Sequence, residues 1–376
     1  MSLGIYIHIP FCQGKCNYCH FVSIAFDKAT ADRYQKAVLC EIKSLPVSLV
    51  TEEVNSIYFG GGTPSLVPAE HIAELLTECG RRHAISEDCE ISLEANPGTI
   101  SCQKAAIFHD AGVNRISIGA QSFVDSELSS IGRTHTADMI LESVSQLREN
   151  GFDNINLDLM LGLPQQSAVS WRTNLEVLAR IGAPHVSVYM LDLDDACPLS
   201  ALVAQGSVQI PEEDLVSDLY LETIDFLNCC GYGQYEISNF ALPGYACRHN
   251  LKYWMREPVL GFGLGSHSFD RASRYANCSA INDYFGATES GVSPVTWRTA
   301  IAPAQALEET LFLGLRLTEG VDWSRLRSNY NGTDLVKYEG CLQELSAGGL
   351  VEWKGSIVRL TAQGMLLSNE IFQLFV

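Results

Sequence analysis

Three cysteines lie close together near the start of the chain, in Tyr6-Ile7-His8-Ile9-Pro10-Phe11-Cys12-Gln13-Gly14-Lys15-Cys16-Asn17-Tyr18-Cys19-His20-Phe21. The spacing C-x3-C-x2-C follows an alternating stretch, Gly4 to Ile9, that reads as a strand. Three soft sulfur donors on one short loop can converge on a single soft metal centre. With 13 Cys in 376 residues, such a triplet arises by accident with a chance of about 0.02. The loop therefore constrains the fold: a strand must end beside it, and a chamber must open above it.

Iron-sulfur clusters are held by Cys thiolates, usually four. Here the run stops at three. A four-iron cube held by three thiolates leaves one iron open to an exogenous ligand. A closed zinc site would need a fourth Cys or His in tetrahedral array. His8 and His20 are the nearest candidates, and neither has zinc-finger spacing.

The rest of the composition narrows the class. Apolar residues make up 47% of the chain and charged ones 18%, so a large core is expected and disorder is not. A net charge of -19 speaks against a nucleic-acid surface, which needs clustered Lys and Arg. No apolar run reaches the length of a bilayer span and no signal-peptide pattern opens the chain, so a cytoplasmic protein is expected. The remaining cysteines, including Cys229 and Cys230, are scattered and read as reduced thiols.

Short β-rich runs alternate with helix-length segments. After Gly4 to Ile9 come Ser56–Phe59, Cys89–Leu93, Arg115–Ile118, Asn154–Leu159 and His185–Met190, with a helix expected over Lys28–Leu45. Six strand-helix units imply a parallel sheet. With no GxGxxG opening, a curved partial (β/α)6 barrel is the expected architecture. Sites in such barrels lie at the C-terminal strand ends. The cysteine loop, Gly60-Gly61-Gly62-Thr63-Pro64, Glu94, Gln121 and Asp158 all fall there. The glycines are either a plain turn or a place where backbone approaches a ligand closely.

Beyond Met190 an acidic turn, Asp192 to Asp195, precedes a helix over 211–228. Near Ala302-Pro303 the character shifts. Helices over Leu307–Leu317 and Val336–Ser346, a hairpin turning at Lys354-Gly355 and a last helix over Thr361–Phe375 suggest a small winged-helix-like α+β domain. The expected division is 1–300 for the barrel with its extension and 301–376 for the C-terminal domain. The acidic chain argues against DNA binding by the latter.

These motifs resemble those of the radical S-adenosylmethionine (SAM) superfamily, in which an open iron of a [4Fe-4S] cluster chelates SAM and reductive cleavage yields a 5′-deoxyadenosyl radical. The resemblance implies Cys12, Cys16 and Cys19 as cluster ligands. It implies Tyr6, Gly61, Gly62, Thr63, Glu94, Gln121, Arg133 and Asp158 as the SAM pocket. The fuller string YIHIPFC...C..CHF is similar to the coproporphyrinogen dehydrogenase branch and to the HemW-type haem chaperones. Two features favour the chaperone type. Phe21 stands where the dehydrogenases carry a fourth Cys, and His249-Asn250-Leu251-Lys252-Tyr253-Trp254 matches the HNxxYW motif of HemW-type proteins, in which the His is implicated in haem ligation. The resemblance thus implies haem as cargo, with His249 as axial ligand, and haem proteins such as respiratory cytochromes as acceptors. Any membrane association would come through those partners. The alternative is an oxygen-independent coproporphyrinogen dehydrogenase that decarboxylates propionates.

Overall fold

The computed structural model describes residues 2–45, 52–193, 197–330 and 332–375. Six parallel strands, β1 (Leu3–Ile9), β2 (Val54–Gly61), β3 (Ile85–Ala95), β4 (Arg115–Gln121), β5 (Ile155–Leu161) and β6 (His185–Met190), follow one another across the sheet. Each expected β-rich run lies wholly or mainly within one of them. Most of their side chains are buried, the first residues of β3 excepted, and every residue of β4 is. Strands covered on both faces require this.

Helices return the chain between strands. The first, α1 (Lys28–Ser44), begins where the Asp27 side chain accepts from the Thr30 amide, which satisfies one of the free donors of the first turn. It buries Tyr34, Ala37, Val38, Glu41 and Ile42, close to the periodicity of the sequence. Another helix, Ala168–Ile181, starts with a reciprocal Ser167–Ser170 cap and stops at Gly182 in the left-handed conformation, where glycine carries no steric penalty.

The sheet extends beyond the six expected strands. Short strands β7 (Gly233–Glu236), β8 (Asn239–Ala241), β9 (Val259–Phe262), β10 (His267–Phe269), β11 (Ser273–Asn277) and β12 (Val295–Ala300) complete twelve. The order is β12-β11-β10-β9-β1-β2-β3-β4-β5-β6-β8-β7. Strand β9 is parallel to β1, and the outer pairs at both ends are antiparallel. Among the described residues the two ends of the sheet do not pair with each other, so the partial barrel stays open.

The segment after residue 300 builds a second, three-stranded sheet of β13 (Val321–Asp322), β14 (Val351–Lys354) and β15 (Ile357–Leu360), with helices Pro303–Gly314, Trp323–Asn329 and Gly332–Ala347. The hairpin turns at Gly355-Ser356, and Lys354 faces Ile357. Instead of one last helix there are two, Ala362–Leu366 and Ser368–Gln373. Glu309 ties this segment to the barrel extension through Arg256 at 2.9 Å and Arg274 at 2.9 Å. Of the acidic turn, Asp194 and Asp195 lie outside the described residues. Among the described residues no helix is long and apolar enough to cross a membrane.

Candidate functional site

A cavity of about 390 Å³ opens at the C-terminal ends of the barrel strands, lined by Cys12, Cys16 and Cys19 together with Gly61, Gly62, Thr63, Glu94, Gln121, Arg133 and Asp158. Ten of the expected site residues thus share one chamber. Two do not line it. Tyr6 lies one layer deeper and His249 is buried elsewhere, as described below.

The cysteine loop leaves β1 through a two-residue ladder in which Phe11 and Cys12 pair with Ile24 and Ala25. All three thiols are free and partly exposed. Thr63 Oγ1 donates to Cys12 Sγ at 3.8 Å, and Arg133 Nη1 approaches Cys16 Sγ at 3.7 Å. Burial pushes the thiols of Cys12 and Cys19 up from their usual range, a cost that binding to cationic iron removes. Among the described residues no group of three or more His, Cys, Asp or Glu side chains is arranged to hold a single metal ion. Three sulfurs on the cavity rim suit a larger, multi-atom centre.

Inward-facing residues recur at every second position of the strands, which is the strand period itself. On β3 Glu94 accepts from Tyr58 Oη at 2.9 Å and from the Gly61 amide at 3.0 Å. Burial pushes its carboxyl up to about 7, against the opposing effect of these two bonds. On β5 Asp158 accepts from Asn156 Nδ2 at 2.7 Å and Ser117 Oγ at 3.2 Å, and burial raises it too. Arg133 donates to Gly119 O at 2.7 Å and to Asn96 Oδ1 at 3.2 Å. Its Nε and the Gln121 Oε1 are buried without a partner among the described residues. Buried polar atoms left unpaired are uncommon, and at a cavity wall they are sites for a ligand to satisfy. The donor set therefore fits a ligand carrying an amine, a carboxylate and hydroxyl groups.

The glycines also have a reason in the chain's own packing. A Cβ on Gly61 (φ +118°) would lie 2.4 Å from the His8 ring, and one on Gly62 would lie 2.7 Å from Phe11 O. Both positions are kept bare by the chain's own packing, which draws β2 against the cysteine loop. A Cβ on Gly119 would sit 2.5 Å from Arg133 Nη2, so that glycine lets the guanidinium cross to its carbonyl. Sequence reasoning missed Gly119, Asn96, Ser117 and Asn156. For Gly119, Ser117 and Asn156 the signal was the alternation of small or polar residues inside the strands, whereas Asn96 lies just past the end of β3.

Tyr6 stacks on Tyr58 at 6.3 Å between ring centroids and on His249 at 6.3 Å. Its hydroxyl meets His8 Nδ1 at 3.1 Å, and His8 Nε2 meets Val22 O at 2.9 Å. This path braces the cysteine loop from below.

His249 sits in the short helix Arg248–Trp254, folded against β2 and β3, and it is 1% exposed. Its Nδ1 is 3.0 Å from Ser56 Oγ and its Nε2 is 3.2 Å from Tyr253 Oη. Burial pushes its pKa down to about 3, with Lys252 and Arg115 adding to the effect. The Glu90 carboxylate accepts from the backbone amides of Arg248 and His249 at 3.2 and 3.3 Å, which fixes the helix start. In this arrangement neither imidazole nitrogen is free for iron. The expected axial-ligand role therefore requires the Ser56 or the Tyr253 contact to be given up.

Known proteins bear on this site at two levels. Residues 6–178 match the model of the Radical SAM superfamily and residues 301–367 that of the HemN C-terminal domain, so the thiol loop and the open barrel define a radical SAM scaffold. The chain is 34% identical over 372 residues to the "Heme chaperone HemW" of Bacillus subtilis, covering 99% of this chain and 98% of that protein. It is 31% identical over 384 residues to the bovine "Radical S-adenosyl methionine domain-containing protein 1, mitochondrial", covering 98% and 86%. The chain belongs to the HemW family of radical SAM proteins. In fold it also resembles the coproporphyrinogen III oxidase (HemN) of Escherichia coli, with a TM-score of 0.86 at 24% identity over 100% of this chain and 90% of that one.

Proposed function

We propose that this protein binds haem and hands it to haem proteins, on a scaffold that holds a [4Fe-4S] cluster through Cys12, Cys16 and Cys19 and SAM in the adjoining cavity. The observation that carries the reading is the end-to-end match to proteins named heme chaperones. Phe21, 58% exposed, stands where a dehydrogenase would carry a further Cys. The likeness to coproporphyrinogen III oxidase is one of fold.

Cluster and SAM together, when bound, supply one-electron reductive chemistry. The chain's own residues position and charge that chamber. Arg133, fixed by Gly119 and Asn96, places a permanent cation beside Cys16 and is suited to a carboxylate. Asp158, held by Asn156 and Ser117, is suited to hydroxyls or an ammonium. Glu94, tied to Gly61 and Tyr58, fixes the β2 end under the thiols. Thr63 donates to Cys12. The acceptors we infer are haem proteins such as respiratory cytochromes, met in the cytoplasm or at the membrane surface that carries them.

The test pairs two assays on the anaerobically reconstituted protein. Ferric haem added in increments should give a saturable Soret change. Coproporphyrinogen III, supplied with SAM and a reductant, should remain undecarboxylated. Robust decarboxylation would move the protein to the dehydrogenase reading. Absence of saturable haem binding would remove the chaperone reading.

A further inference from the structure

We propose that Arg115, buried one row beneath the floor of the cavity, is a positioning residue for SAM: through its charge alone, without touching the ligand, it keeps the Glu94 and Asp158 carboxyls ionised and able to accept the ligand's hydroxyls or amine. This rests on the reading of that cavity as the SAM site.

Arg115 opens β4 and is 1% exposed. Its Nε is buried without a partner, and its guanidinium makes no hydrogen bond or ion pair among the described residues. A buried cation left bare in this way is costly unless a carboxylate is brought against it. Its use to the protein therefore lies in what its charge does at a distance.

The register shows what that charge faces. Tyr6, Tyr58, Ser92 and Arg115 lie opposite one another in one row across β1, β2, β3 and β4. Inward positions recur at every second residue, so the next row holds Glu94, Ser117 and Asn156, which also face one another. Glu94 and Ser117 line the cavity, and Ser117 donates to Asp158. Two residues of strand separate the rows, about 7 Å. Across a protein interior, an opposite charge at that range favours the ionised carboxyl by at least about tenfold.

The neighbouring groups leave this role to Arg115. The phenols of Tyr6, Tyr18, Tyr58, Tyr189 and Tyr253 face the two carboxyls, and burial keeps them protonated. His185 and His249 face Arg115 and are held neutral by burial. Glu90 is taken up by the Arg248 and His249 amides and the Cys247 thiol. Arg133, tied to Gly119 O and Asn96, lines the cavity and is placed to meet the ligand itself. Burial pushes Glu94 and Asp158 up, and Arg115 opposes it in both. A free anion bound at Arg115 would add negative charge to a space that already holds Glu90, Glu94 and Asp158, which like-charge repulsion disfavours.

SAM binding to the anaerobically reconstituted protein, measured by equilibrium dialysis from pH 6 to 9, tests this with Arg115→Met, which removes the charge at similar length, and Arg115→Lys, which keeps it. Four-iron absorbance controls for folding, and Arg115→Gln repeats the measurement where the methionine variant holds no cluster. The ratio of variant to wild-type affinity is read at each pH, so that the titration of SAM itself cancels. Arg115→Met should bind SAM at least about tenfold more weakly than wild type at pH 6.5, with the gap closing toward pH 9 as the carboxyls ionise unaided. Arg115→Lys should follow the wild type throughout. A loss of affinity that is the same at every pH would mark structural damage alone and overturn the inference, as would wild-type affinity in Arg115→Met at pH 6.5; both leave the SAM reading intact. A wild-type protein that binds no SAM at any pH overturns that reading and the inference with it.

Discussion

Replacing Glu94 with Gln separates the charge of the cavity carboxyl from its shape. The amide oxygen can still accept from the Gly61 amide, and the amide nitrogen can donate to Tyr58, whose hydroxyl turns to accept; these are the two partners Glu94 has now. What disappears is the titration. Burial holds this carboxyl at about 7 against a reference of 4.5. The folded protein therefore keeps its proton where the unfolded chain has lost it. For a raised acid the stabilisation is full below the unfolded value, and it declines as pH rises from about 4.5 through 7. At 1.36 kcal/mol per pKa unit the limit is about 3 kcal/mol, and cavity water reduces it to about 2 kcal/mol. Urea denaturation of the cluster-free protein at pH 4.5, 6 and 8 measures it. The stability of Glu94→Gln minus that of wild type should grow by about 2 kcal/mol across this range. A difference that stays flat or shrinks would refute the buried-carboxyl reasoning.

The other predictions follow from the same geometry. Cys16→Ala should lose the four-iron absorbance after anaerobic reconstitution, whereas Cys229→Ala, at an exposed helix end, should keep it; equal iron in wild type and Cys16→Ala would remove the ligand assignment. Gly61→Val should destabilise the fold by at least about 2 kcal/mol, because its Cβ meets the His8 ring and its φ is +118°, with strained backbone adding to the clash; loss of SAM binding with unchanged denaturation would show that ligand clearance is the reason for the glycine after all. His249→Leu should cost about 1–3 kcal/mol, since it leaves Ser56 and Tyr253 without their partner; an unaltered urea midpoint would contradict the buried, hydrogen-bonded placement of this ring.

Strand alternation made the central sheet legible, because runs such as Arg115–Ile118 and His185–Met190 alternate polar with β-branched residues at the strand period. The cysteine loop and the residues at the strand ends were legible for the same reason: chain order places them at one rim. The outer strands were not. Val259–Phe262 and His267–Phe269 are four and three residues long, too short for a period to show. Nor could the sequence reveal that His249 is turned inward, since the capping of its helix comes from Glu90, far away in the chain. The glycines of the β2 turn were placed correctly, but their neighbours are His8 and Phe11, contacts that exist only once β1 and β2 pair.

The central claim, that this chain carries haem to acceptors, is tested most directly by the rate at which it gives haem up. Haem-loaded protein mixed in a stopped-flow spectrometer with rising concentrations of a haem-free cytochrome should transfer its haem at a rate that increases with acceptor concentration and exceeds the rate of loss to a non-partner scavenger such as haem-free myoglobin. A transfer rate equal to that passive loss, and independent of the acceptor, would contradict the account.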